Sequence, residues 1–280
     1  MGKLVAAFAA SHAPGQAGFP ELAAPAKKEN VYKAWAELRK KFEGAKPDIL
    51  VGVSNDHLQN FHRVQPPFCV GTAESHILPR QAYAKMLRLI PHPVRGHVAF
   101  AESLVRVAAE NGVDLAFSED LQFQDEFSVP KHFLDPEDKV PLVPILTNCL
   151  NRNQPPPERF YELGRIIAKA IERRPPAERI AVIGTGGLSH DPTGPNWCLI
   201  DENFDRRFLK LIVEGDIETL FREFTLERIF QPGKGGTPEV LNWFAPLGAV
   251  GVRTKATLLC YEPVPEWATG MGYVCWELQN

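Results

Sequence analysis

The sequence predicts an α/β fold whose helices cover both faces of a mostly parallel or mixed central sheet, and three observations predict it. Apolar runs alternate with helical patterns along most of the 280 residues. Several runs, such as those at 4–10, 49–54 and 180–183, are apolar without polar alternation, as in strands buried on both faces. A chain of this length can also remove about three-quarters of its unfolded surface from water, enough for one large core.

In chain order, strands are expected at 4–10, 49–54, 115–117, 140–146, 180–183, 255–261 and 272–277. Helices are expected at 31–43, 81–89, 96–111, 157–173, 202–213, 217–220 and 238–247. His97, directly after Gly96, is placed to cap the third of these helices. The stretch 157–173 carries Phe160, Leu163, Ile166, Ile167 and Ile171 at the i, i+3, i+4 spacing of a one-sided helix. In the last helix Pro238 suits a first helical position and Thr237 an N-cap, which puts Glu239 in the first turn. The 25 prolines fall mostly in connections, and no repeat or composition break divides the chain. A single catalytic domain over 1–280 is the expectation.

Composition excludes several classes of partner. With 31 Lys+Arg against 34 Asp+Glu, the net charge of −3 offers no basic footprint for nucleic acid and no polybasic patch for a membrane. The five cysteines are scattered, odd in number and form no C-x-x-C pair, which fits a reduced, cytoplasmic protein with buried structural thiols. No apolar run is long enough to span a bilayer. Residues 1–11 superficially resemble a short signal peptide, but they run into a polar segment with no second positive charge. A small-molecule substrate or a protein partner is expected.

In open α/β sheets ligands bind beyond the carboxyl ends of the strands, so residues that follow apolar runs come first. Three such places carry histidine: Ser11-His12-Ala13-Pro14, Asn55-Asp56-His57 and Gly184-Thr185-Gly186-Gly187-Leu188-Ser189-His190. A fourth candidate is the glycine-rich segment that leads through Thr237 and Pro238 to Glu239. Neither glycine-rich segment meets a nucleotide fingerprint: one ends in Ser189 where Gly or Ala is needed, and Lys234 has no Ser or Thr after it. Two imidazoles and one carboxylate on one side of a cavity suit non-haem Fe(II), leaving positions open for substrate and oxygen. Zinc accepts the same ligands, so the residue types alone leave a zinc-dependent hydrolase open.

On these four stretches, which span nearly the whole chain in order, the sequence resembles the class III extradiol ring-cleavage dioxygenases. This is the family of the protocatechuate 4,5-dioxygenase catalytic subunit and of the dihydroxyphenylpropionate dioxygenases. The resemblance implies a three-layer α/β/α sandwich, with His12, His57 and Glu239 as ligands of ferrous iron, Fe(2+), and His190 as the acid/base group. It implies a cytoplasmic enzyme of aromatic hydrocarbon catabolism that opens a catechol-type aromatic diol with O2. Imidazole has an unperturbed pKa near ~6.5, which suits His190 to take a proton from the diol and return it later. Some family members need a small second subunit, so the chain is expected to be a homo-oligomer or a complex with such a subunit, and the family also includes relatives without iron that only bind.

One segment departs from the family pattern. Where relatives carry an Asp-His-Gly segment with a second active-site histidine, this chain has Gln122-Phe123-Gln124-Asp125-Glu126-Phe127-Ser128-Val129-Pro130. Asp125, or Glu126 if the register shifts by one, takes the histidine's place. A carboxylate there serves as an altered acid/base, faces an amino-bearing substrate group, or is inert with His132 compensating. Aminophenols and methoxylated or trihydroxylated rings therefore join ordinary catechols as candidate substrates. Asp56 is expected to accept hydrogen bonds rather than bind metal, and His62, His76, His92 and His97 to be structural or exposed. Trp197 and Trp243 are candidates either for an aromatic pocket wall or for core packing.

Overall fold

Along β1 (Lys3–Ala10) successive side chains point to opposite faces, so Ala7 and Ala9 enter one core while Ala6, Phe8 and Ala10 enter another. A computed structural model describes residues 1–150, 153–251 and 254–278 of the chain. The same division holds in β2 (Ile49–Asn55), β7 (Leu142–Thr147) and β8 (Arg179–Thr185), which are buried on both faces. The remaining strands are β3 (Phe68–Gly71), β4 (Ser75–Leu78), β5 (His92–Arg95), β6 (Ala116–Ser118), β9 (Ala256–Val264) and β10 (Thr269–Trp276).

Eight strands form one mixed sheet in the order β6-β3-β7-β2-β8-β1-β10-β9, and β4 pairs with β5 in a separate ribbon. The central strands β7, β2, β8 and β1 are parallel, so their carboxyl ends share one edge. Helices Val98–Glu110, Pro157–Glu172, Glu202–Glu214 and Phe244–Val250 cover one face. Helices Pro25–Ala45 and Asp125–Leu134 cover the other, completing three layers.

The expected elements recur with shifted ends, and three differences bear on the site. The helix expected at 238–247 is two elements, a 3-10 helix Thr237–Trp243 followed by the α-helix Phe244–Val250. Thr237 lies inside the first of these; Gly236 is the N-cap, and the Thr237 hydroxyl instead bonds the backbone of His190. Helix Asp125–Leu134 has no counterpart among the expected elements, because Pro130 in its middle argues against a helix. His97 does cap its helix, with Nδ1 accepting from the Phe100 N–H at 3.1 Å. Cys69, Cys149 and Cys275 are buried, whereas Cys198 and Cys260 are only partly so.

Among the described residues no helix is long and apolar enough to cross a membrane.

Candidate metal centre

His12 and His57 lie just past β1 and β2, where the parallel strands end, and Glu239 reaches the same point from the 3-10 helix Thr237–Trp243. His12 Nε2 is 3.3 Å from Glu239 Oε2, and His57 Nε2 is 3.2 Å from Glu239 Oε1. The two rings meet edge to face with centroids 5.1 Å apart. The three donors lie within 4.8 Å of one another, so one ion can reach all three. Two imidazole nitrogens and one carboxylate converging on an open cavity is the donor set of a facial metal triad.

Each donor is held from behind. Glu239 Oε2 accepts the Gly187 N–H at 2.8 Å, and Oε1 accepts from Asn55 Nδ2 at 3.2 Å. Asn242, on the same 3-10 helix, donates to the Thr185 carbonyl at 2.9 Å and accepts from Thr147 Oγ1 at 2.6 Å, pinning Glu239 to the ends of β8 and β7. His12 Nδ1 faces Thr185 Oγ1 at 3.1 Å, and that hydroxyl donates to the Glu126 carbonyl at 3.0 Å. Glu126 O is the carbonyl that residue 130 bonds in an unbroken helix; Pro130 has no N–H, and the threonine hydroxyl takes its place. The break in the helix thus supplies an acceptor for the hydroxyl that stands behind His12.

His57 is held by the segment that departs from the family pattern. Its Nδ1 lies 3.2 Å from Asp125 Oδ1 and 3.4 Å from Glu126 Oε2. Burial opposes the charged His57, but Asp125, Glu126 and Glu239 outweigh it and hold its pKa well above the usual value. Burial likewise opposes ionised Glu239, yet His12 and His190 hold its carboxyl well below the usual range.

His190 stands on the same carboxylate, with Nε2 3.6 Å from Glu239 Oε2. Its Nδ1–H donates to the Leu188 carbonyl at 2.7 Å, which leaves Nε2 as the nitrogen free to accept a proton. Burial lowers its pKa and Glu239 raises it more, for a net rise. The glycine-rich segments exist to let backbone approach this ring: a Cβ on Gly236 falls 2.2 Å from it, and one on Gly187 falls 2.6 Å away.

These groups open into a cavity of about 560 Å³ lined also by Leu58, Tyr83, Met86, Gln124, Asp125, Trp197 and Trp267. Trp197 is on its rim, 59% exposed, while Trp243 is buried in the core and donates to the Gly186 carbonyl. His132 lines a different cavity, with Ser128 and Lys131, and so does not compensate for the missing histidine. Asp56 accepts the backbone N–H groups of Gln59, Asn60 and Phe61, and shapes the loop after His57. Reading the sequence alone missed Thr185, Asn55 and Asn242 as supports; two of them stand within the quoted motifs, but nothing in a motif tells which nitrogen a threonine or asparagine will meet.

A mixed sheet with two imidazoles and a carboxylate gathered at its carboxyl edge is the framework of an α/β enzyme with a candidate metal site. Residues 6–272 match the family model described as the catalytic LigB subunit of aromatic ring-opening dioxygenase, and the chain belongs to that family. It is a ring-opening dioxygenase of the class III extradiol type. A 2,3-dihydroxyphenylpropionate/2,3-dihydroxicinnamic acid 1,2-dioxygenase of Klebsiella pneumoniae subsp. pneumoniae is 26% identical over 87% of this chain and 90% of its own. The enzyme of that name from Escherichia coli O139:H28 is 25% identical over 88% and 90%. In fold, the chain is similar to an uncharacterized protein from Escherichia coli K12, with a TM-score of 0.60, 16% identity, and 97% and 99% of the two chains covered.

Proposed function

We propose that the chain is a non-haem Fe(II)-dependent extradiol dioxygenase that opens a catechol-type ring next to its diol with O2. The observation that carries this reading is the convergence of His12 Nε2, His57 Nε2 and Glu239 on one point at the floor of an aromatic-lined cavity. Bound Fe(II) supplies the Lewis acidity that favours the ionised diol and the redox route between ring and oxygen.

The chain's own residues do the rest. His12, His57 and Glu239 hold the ion from one side, leaving the cavity side for substrate. His190 Nε2 takes the proton of the second hydroxyl and returns it to an oxygen later in the turnover, with Nδ1–H anchored on Leu188 throughout. Asp125 accepts the His57 Nδ1–H and so keeps Nε2 turned to the ion, a positioning role in place of proton transfer. Because Asp125 also lines the cavity, an aminophenol whose amino group meets that carboxylate is the second reading. The protein works as one catalytic domain in the cytoplasm, as a homo-oligomer or with a small second subunit.

The test is anaerobic reconstitution with Fe(II), followed by oxygen and a panel of catechols and aminophenols. O2 uptake with growth of a yellow ring-opened product is expected. One iron per chain with no O2 consumption on any ring overturns the reading, and activity with Zn(II) in the absence of oxygen assigns a hydrolase instead.

A further inference from the structure

Three large apolar side chains reach solvent at the mouth of the cavity that holds His12, His57 and Glu239. Leu58 is 46% exposed and Trp197 59%, and Met86 is partly exposed. They come from separate parts of the chain: the loop after β2, helix Gln81–Leu87 and the segment that follows His190. Leu58 directly follows His57 and has a φ of 60°, in the left-handed region that glycine adopts readily and a leucine does not. A strained backbone thus holds an isobutyl group at the opening, and strain of this kind gathers at ligand sites. Apolar groups set round a concavity and left in water mark a binding site, because covering them is favourable once an occupant arrives.

We infer that the ring of the substrate carries an uncharged hydrocarbon substituent, alkyl or aryl, and that Leu58, Met86 and Trp197 receive it. The inference rests on the ring-cleavage reading and narrows its substrate class. With the diol at the candidate ligands on the floor, a bare ring fills only part of a cavity of about 560 Å³, a volume that houses larger ligands. What projects from the ring toward the opening meets these three side chains, which offer apolar contact area. An anionic substituent gains little from them and faces the carboxylates of Asp125 and Glu239 in the same cavity. A hydrocarbon substituent gives up no hydrogen bonds to water on entering, and each methylene it buries strengthens binding about fourfold.

The experiment measures kcat/KM, from O2 uptake by the Fe(II)-reconstituted enzyme, for catechol and for its methyl, ethyl and propyl derivatives substituted at position 3 or at position 4. In at least one of the two series the value is expected to rise about fourfold per added carbon. At that position the isopropylcatechol is then compared with the dihydroxybenzoate, which matches it in shape and differs in charge. The hydrocarbon member is expected to be favoured about tenfold or more. The double variant Leu58→Gly with Trp197→Ala, in which glycine accepts the backbone angle, is expected to cut the gain per carbon to below about twofold. Two flat or falling series in the unaltered enzyme, a preference for the benzoate, or an undiminished gain in the double variant overturns the inference while ring cleavage stands. Flat series together with a dimer that the double variant loses assign the opening to a second copy of the chain instead. Failure to consume O2 with any ring overturns the ring-cleavage reading and this inference with it. If the double variant does not fold, anaerobic dissociation constants of the unaltered enzyme for the same compounds decide alone: flat series overturn, affinity that rises with each carbon supports.

Discussion

His57 is held at both ring nitrogens, with Nε2 3.2 Å from Glu239 Oε1 and Nδ1 3.2 Å from Asp125 Oδ1. A metal-facing imidazole whose far nitrogen donates to a carboxylate has one tautomer and one orientation, and removal of such a support ordinarily weakens metal binding ~10–100-fold. Asp125→Ala is therefore expected to weaken Fe(II) binding about tenfold, at the low end because Glu126 Oε2 remains 3.4 Å from the same nitrogen. The double variant with Glu126→Ala is expected to lose about 100-fold. Metal titration under argon measures both. Unchanged affinity in the double variant contradicts the positioning role.

The support behind His12 is a neutral hydroxyl, and it is shared. Thr185 Oγ1 takes the His12 Nδ1–H and gives its own hydrogen to the Glu126 carbonyl left unpaired by Pro130. Thr185→Val keeps the shape and removes both bonds. About a tenfold loss of metal affinity is expected, together with about 1–3 kcal/mol of stability from the buried carbonyl left without a donor. Denaturant unfolding of the metal-free protein separates the second effect from the first.

The proposed ligands and the proposed proton-transfer group are expected to separate by what they lose. His12→Ala and Glu239→Ala are expected to abolish tight metal binding, whereas His190→Ala keeps the ion and loses about 10²–10⁴-fold in turnover. Gly236→Ala reaches a similar end by a different route, since its Cβ falls 2.2 Å from the His190 ring and displaces it. Its turnover is expected to fall much further than its metal affinity. Loss of the ion in His190→Ala shows that the roles have been divided wrongly.

How much of this was legible in the sequence follows from burial and spacing. The strands β1, β2, β7 and β8 are buried on both faces, so their apolar runs stand out against any neighbour, and the histidines just beyond them could be found by position. β3, β4 and β5 are four residues each, two of them in a partly exposed ribbon, and too short to show a pattern. Helix Asp125–Leu134 was hidden by Pro130, whose cost is met by Thr185, 55 positions away in the chain. As a first-turn acid Glu239 is favoured by the helix dipole whatever its role, so only the family resemblance singles it out. What brings it to the histidines is Asn242, one turn further on, tied to β7 and β8 by contacts that have no local signature.

Stability should respond to pH through Asp205, away from the candidate metal ligands. Its carboxyl is fully buried and accepts from the Ser189 N–H at 2.7 Å, Ser189 Oγ at 3.0 Å and Tyr261 OH at 2.9 Å. Burial outweighs these bonds and raises its pKa from 3.8 to about 6. Below about pH 4 the folded and unfolded chains both hold the proton. Between about pH 4 and 6 the unfolded chain releases it while the folded chain keeps it, so stability falls as pH rises across that window. The shift corresponds to a change on the order of 3 kcal/mol. Asp205→Asn does not titrate, and whatever constant effect the amide has, its stability relative to the unaltered protein should rise by about that amount from pH 4 to pH 7. Denaturant unfolding of both proteins in EDTA at several pH values measures it, and a difference that stays constant with pH removes Asp205 as the titrating group.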